Sequence, residues 1–285
     1  MKLHSIEAGK FKLDGGAMFG VVPKSIWQRT NPADSNNMIE MSARCLLIEH
    51  GKRLILIDTG MGNKQSEKFF GYYYRWGEET LSSSLNAVGF HPDDITDVFL
   101  THLHFDHCGG AISKTKGGSL ETAFKNATYW SNKYHWDWAV NPNPREKASF
   151  LKENFEPLQA NGQVQFLDVP RENGWYDTEL PFKVCVVNGH TEAQMLPYIE
   201  TGSEKILYTA DLLPSVGHIP LPYVMGYDVR PLETMAEKAP VLQKCVDEGI
   251  KLFFEHDAAN EMALLKMTEK GARLDHTLRL SDLSL

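Results

Sequence analysis

Between Thr101 and His107 the sequence runs Thr-His-Leu-His-Phe-Asp-His, which puts His102, His104, Asp106 and His107 within six consecutive positions. Three imidazoles and a carboxylate gain little from being packed together in a core. Imidazole nitrogen and carboxylate oxygen are, however, the donors that zinc, manganese, iron and cobalt accept. The following pair, Gly109-Gly110, lets the backbone pass close beneath such ions and start a helix. A bound divalent cation acidifies water and polarises a carbonyl or phosphoryl oxygen, so no serine or cysteine nucleophile is required. Cys108, next to the cluster, accordingly reads as a small buried residue rather than a catalytic one. Three further donors each follow an apolar run: His190 after Phe182 to Val187, Asp211 after Ile206 to Ala210, and His256 after Leu252 to Phe254. Donors placed at strand ends converge on one edge of a sheet, which is where two coordination shells can be completed.

The elements that must carry these residues are legible in outline. Cys45 to Glu49 and Leu54 to Ile57 flank His50-Gly51-Lys52-Arg53 and predict a hairpin that delivers Asp58-Thr59-Gly60 to a loop. Leu81 to Val88 predicts a helix stopped by Gly89, and Val98 to Leu100 a buried strand ending at the histidine cluster. Ser131 predicts the N-cap of a short aromatic helix, and Arg145 to Gln159 a longer helix. Val164 to Leu167, Phe182 to Val187, Pro197 to Glu200, Lys205 to Ala210 and Lys251 to Phe254 read as strands, and Leu232 to Val246 as an amphipathic helix. Lys24 to Asn37 and Asn141 to Glu146 read as surface loops. Strands alternating with helices predict an α/β fold.

The whole chain narrows the classes. With 285 residues it is long enough for a substantial core, and no repeat or linker divides it, so one domain over 1–285 is expected. Cys45, Cys108, Cys185 and Cys245 form no short-spaced pair, which predicts a reducing compartment. No signal-peptide core and no membrane-length apolar run is present, so a cytoplasmic location without membrane contact is expected. The formal net charge of −8 and the lack of Lys/Arg clusters argue against nucleic acid. Small neutral or weakly charged substrates fit better, and the aromatic-rich segments admit a homodimer.

With its HxHxDH run, a lone His, a later Asp and a last His, the sequence resembles the metallo-β-lactamase superfamily from about Ala43 to His256. The resemblance implies an αββα sandwich of two mixed sheets covered by helices. It further implies two divalent metal ions, zinc first, with Mn, Fe or Co as alternatives. His102, His104 and His190 would hold one ion, Asp106, His107 and His256 the other, with Asp211 bridging. A water shared by two such ions has its pKa lowered toward ~7, so a bridging hydroxide is the implied nucleophile. The Asp of the family's DTG loop falls on Asp58, implied to hold a ligand imidazole through its outer nitrogen.

Within the superfamily, Asp14-Gly15-Gly16-Ala17-Met18-Phe19-Gly20-Val21-Val22-Pro23-Lys24 and Ala210-Asp211-Leu212-Leu213-Pro214 look like the YtnP-like quorum-quenching lactonases and the methyl parathion hydrolases. The branch implies an acyl-homoserine lactonase, or alternatively a phosphotriesterase or aryl esterase. Residues 1–40 would contribute to the substrate pocket, with Met18, Phe19 and Val21 as an apolar wall or as core. Lactonases of the better-studied type carry a tyrosine three residues after the bridging aspartate, where this chain has Pro214. Ser215, His218 and Tyr223 follow in the same segment as substitutes, and His218 and Tyr223 join Asp106 and Asp211 as candidate catalytic residues. Other readings fit less well. Hydroxyacylglutathione hydrolases need a basic C-terminal segment, diiron redox members have Glu where this chain has His104, and β-lactamases proper match the Asp at the bridge less closely. A metal-stabilised structural protein would need closed coordination, whereas seven donors for two ions leave open positions.

Overall fold

The computed structural model describes residues 1–283 as a mixed α/β chain that divides into two compact units, 1–10 with 43–169 and 11–42 with 170 onward. A six-stranded sheet runs in the order Lys2–Asp14, Met38–His50, Arg53–Ile57, Asp97–Phe99, Thr128–Asn132, Val164–Leu167. Met38–His50 and Arg53–Ile57 pair antiparallel through the expected hairpin, with Gly51 at φ +61 in its turn. From there the pairing becomes parallel across Asp97–Phe99, Thr128–Asn132 and Val164–Leu167. Parallel strands require crossovers, and the Leu81–Ala87 helix, capped by Thr80, lies on one of them. Cys45, Leu47, Leu56, Leu85, Val98 and Leu103 sit in one buried cluster of the first unit.

The second unit holds a seven-stranded sheet ordered Gly271–Leu278, Met262–Thr268, Lys251–Phe253, Glu204–Tyr208, Gln194–Thr201, Lys183–Val187, Gly174–Tyr176. It is antiparallel in every neighbouring pair except Glu204–Tyr208 with Lys251–Phe253. The connection between those two contains the Pro231–Glu248 helix, with Pro231 at its first turn and Gly249 closing it at φ +64. Both sheets are mixed, the fold class expected from the sequence.

Three local expectations are corrected. Arg145 to Gln159 is not one helix; it holds turns, a 3-10 turn at Lys152–Asn154 and a short helix at Glu156–Ala160. Pro157 has no N–H to continue a longer helix, while the Asn143 side chain accepts from the Arg145 and Glu146 amides. The Lys133–Val140 helix starts one residue later than predicted. Asn132 caps it by accepting from His135 N at 2.9 Å, and Ser131 stays in the preceding strand. The Lys24 to Asn37 stretch, expected as loop, includes a short helix at Lys24–Trp27.

Candidate metal-ligating residues

In the first unit the histidine cluster is zipped to the Asp58-Thr59-Gly60 loop. Asp58 takes φ +58, a left-handed conformation that an Asp tolerates better than most residues. Its amide donates to Phe99 O at 2.9 Å, and its buried carboxylate accepts from Thr101 N at 2.8 Å and Thr101 Oγ1 at 2.7 Å. Thr59 donates to His107 O through both its amide and its hydroxyl, and Gly110 N donates to Gly60 O at 2.9 Å. A Cβ on Gly110 would lie 2.1 Å from Thr59 O, so the close approach itself demands glycine. Rather than starting a new helix, Gly109-Gly110 forms a 3-10 turn after the Phe105–Cys108 helical turn.

The same bonds set the imidazole tautomers. The Thr101 hydroxyl spends its proton on Asp58, so toward His102 Nδ1, 3.1 Å away, it can only accept. His102 therefore carries its proton on Nδ1 and keeps a lone pair on Nε2. His107 Nδ1 faces the Asp58 carboxylate at 3.2 Å, which likewise leaves its Nε2 as the lone-pair nitrogen. His104 is turned the other way, with Nε2 3.4 Å from Glu146 Oε1. The His102 ring lies 4.6 Å from that of His104 and 3.9 Å from that of His107, and Asp106 Oδ1 is 4.0 Å from His107 Nε2. All four candidate ligands of this unit are buried together.

Cys108 is fully buried, and its thiol donates to Leu103 O at 3.3 Å. Burial pushes its pKa up to about 12, so it is no thiolate nucleophile. Lys64, also buried, donates to Gly109 O, and burial draws its pKa down to about 8.

The second unit brings His190, Asp211 and His256 together around one carboxylate. His190 Nε2 is 3.0 Å from Asp211 Oδ2, and His256 Nε2 is 3.2 Å from Asp211 Oδ1. Each ring is held from behind. His190 Nδ1 meets the Asp228 carboxylate at 3.0 Å, and His256 Nδ1 meets the Ser42 carbonyl at 2.8 Å. A carbonyl can only accept, so His256 is protonated on Nδ1 and a neutral His256 aims its Nε2 lone pair at a carboxylate oxygen. Two acceptors at that distance repel unless a proton or a metal cation lies between them. Burial works against a charged His190, yet the Asp211 and Asp228 carboxylates outweigh it and raise its pKa to about 10. The same negative field favours a cation at Nε2. Two imidazole Nε2 atoms converging on a carboxylate form a donor set that fits a divalent ion of the zinc class, which would take the place of the His190 Nε2 proton.

His218 is built differently. It is buried with Nε2 2.9 Å from Met18 O, to which it must donate, and Nδ1 2.9 Å from Ser215 Oγ. Its ring stacks on Phe19 at 4.3 Å, and Phe19 stacks in turn on Trp27 at 5.3 Å. Burial pulls the His218 pKa down to about 3, so both ring nitrogens serve a neutral packing role. Met18 and Phe19 are therefore core, while Val21 is 96 % exposed. Tyr223 is half-buried, and its carbonyl accepts from buried Lys238 Nζ at 2.9 Å.

Sequence reasoning missed the residues behind the imidazoles: Thr101, Glu146, Asp228 and the Ser42 carbonyl. Thr101 adjoins the cluster and could have been found by position. Asp228 and Glu146 lie in irregular segments with no periodic signal, and a backbone carbonyl has no sequence signature at all.

With this geometry in place, the comparisons are consistent. The sequence matches the metallo-β-lactamase superfamily over residues 39–270, and the chain belongs to that superfamily. Among named relatives, an N-acyl homoserine lactonase of Bacillus cereus is 29% identical over 126 residues, which cover 40% of this chain and 46% of the relative, so less than half of that protein is spanned. A solved structure described as a probable metal-dependent hydrolase from Staphylococcus aureus superposes with a TM-score of 0.85 at 26% identity, covering 98% of this chain and 96% of that one. AidC, described as a dizinc quorum-quenching lactonase in complex with a product, superposes with a TM-score of 0.75 at 23% identity, over 95% and 92% of the two chains. Among the described residues no helix is long and apolar enough to cross a membrane.

Proposed function

We propose that the chain is a dinuclear metal-dependent hydrolase acting on a lactone of the acyl-homoserine type. The observation that carries this reading is Asp211, whose two oxygens each face the Nε2 of an imidazole held from behind by an acceptor. In this reading His102, His104 and His190 hold one ion, Asp106, His107 and His256 the other, and Asp211 both, with the two units working as one domain over 1–285. Two divalent cations there would ionise a shared water near neutral pH and polarise the scissile carbonyl. Zinc suits the donors, with manganese, iron and cobalt also accepted.

The protein's own contribution is to fix the donors. Asp58 and Thr101 hold the outer nitrogens of His107 and His102, and Ser42 holds that of His256. His218 anchors the segment at Met18 to the one at Ser215, so it acts by positioning residues 1–40 beside the substrate rather than by touching it. Tyr223, with part of its surface open, takes the substrate-binding place left by Pro214. The lactonase names of the relatives support the substrate class. Pro214 itself favours the second reading, a phosphotriesterase or aryl esterase, because the lactonase tyrosine is missing there. A location in the cytoplasm and a homodimer belong to the same proposal.

The test is hydrolysis of an acyl-homoserine lactone, an aryl ester and a phosphotriester by metal-loaded protein and by His104→Ala. Fastest turnover of the lactone, lost in the variant, supports the first reading. Turnover of the phosphotriester or aryl ester alone transfers support to the second, and no turnover of any substrate sinks both.

A further inference from the structure

Behind His190 the second unit has built a support that the reaction itself does not use. Asp228 lies in the irregular segment before the Pro231–Glu248 helix and is buried. One carboxylate oxygen meets His190 Nδ1 at 3.0 Å, and the other accepts from Met225 N at 3.3 Å. The backbone around His190 is held by other groups. Val229 N donates to His190 O at 3.2 Å and Arg230 N to Gly189 O at 2.9 Å. Glu237, on the long helix, accepts from the amides of Asn188 and Gly189. A Cβ on Gly189 would lie 2.3 Å from Thr234 N, so this helix packs directly onto the loop. These bonds hold the loop's path apart from the Asp228 side chain, which meets the imidazole directly.

We infer that Asp228 is a positioning residue for His190, fixing the proton on Nδ1 and presenting Nε2 to one of the two cations. The inference rests on the metal-binding reading above. A carboxylate on the outer nitrogen orients the ring and raises its basicity, and removal of such a partner typically weakens metal binding about 10- to 100-fold. Asp228 meets His190 directly, so the effect is expected on the ion that His190 would hold.

The experiment measures zinc retained per chain, by elemental analysis, after dialysis of loaded protein against graded chelator. Wild type, Asp228→Asn and His190→Ala are compared, together with the melting temperature of each zinc-free protein. For Asp228→Asn we expect one of two ions to be lost at roughly 10- to 100-fold lower chelator, an unchanged second ion, a zinc-free melting temperature near that of wild type, and activity restored by excess zinc with KM unaltered. Retention of both ions at wild-type chelator levels, with or without a drop in melting temperature, overturns the inference. His190→Ala separates the two failures: if it too keeps both ions, the metal-binding reading is what fails. Should Asp228→Asn not fold, Asp228→Glu keeps the charge but moves the carboxylate by one methylene, and it must show the same loss of a single ion or the inference falls.

Discussion

The two units supply their candidate ligands in contrasting ways. The first packs four donors into one loop and zips that loop to the Asp58-Thr59-Gly60 turn, so a single carboxylate, Asp58, serves Thr101 and His107 at once. The second gathers His190, Asp211 and His256 from three separate strand ends and backs the two histidines individually, with Asp228 and the Ser42 carbonyl. Dense candidate ligands share their support, while scattered ones need one apiece. A substitution in the first unit should therefore disturb several donors together, and one in the second unit should disturb one.

The largest effect is expected where the zipped loop has no slack. Gly110→Ala would set a Cβ against Thr59 O, costing about 3 kcal/mol or more and lowering retention of both ions; a stable, fully loaded variant in chemical denaturation would break the contrast. Next comes Asp58→Asn, which keeps the shape but gives up a carboxylate that accepts two hydrogen bonds from Thr101. A loss of about 2 kcal/mol is expected, with weakened metal binding through both His102 and His107, measured by chelator competition. Loss of one ion alone would show that the support is not shared.

His218 sharpens the comparison, because it is a buried histidine of the second unit that packs rather than ligates. Its pKa falls from 6.5 to about 3 through burial, against the upward pull of the Met18 carbonyl. Between those pH values the unfolded chain binds a proton that the folded chain does not. The stability it contributes is therefore complete above pH 6.5 and is lost as pH drops toward 3. His218→Phe should flatten the slope of stability against pH in that window, as read by denaturant titration, and an unchanged slope would contradict the packing role. The smallest effect is expected at Cys108→Ala, at about 1 kcal/mol with hydrolysis retained; abolished turnover in a folded variant would restore a chemical role for the thiol.

The sequence made the first unit's candidate ligands legible because they are contiguous and their residue types have no packing rationale. It made His190, Asp211 and His256 legible only as strand ends. The strands before them were readable from apolar runs such as Lys183–Val187 and Lys251–Phe253. The Lys2–Asp14 strand and the Met262–Thr268 and Gly271–Leu278 pair were not read, since polar residues interrupt their alternation. Glu146 escaped for a related reason. Its segment was expected to be partly surface loop and partly helix, whereas the chain turns there so that Glu146 Oε2 accepts from Trp138 Nε1 at 2.8 Å while Oε1 faces His104. That contact depends on a fold-level approach of two segments, which no local pattern encodes.

The parallel pairing of Glu204–Tyr208 with Lys251–Phe253 across the Pro231–Glu248 helix carries a kinetic consequence. Asp211 and His256 meet only after a long crossover has closed, and closing a loop of that length spends chain entropy before any contact returns it. The four donors between His102 and His107 need no such closure. A chain emerging during synthesis thus presents this cluster, and the Asp58 turn that holds it, well before its second set of candidate ligands exists.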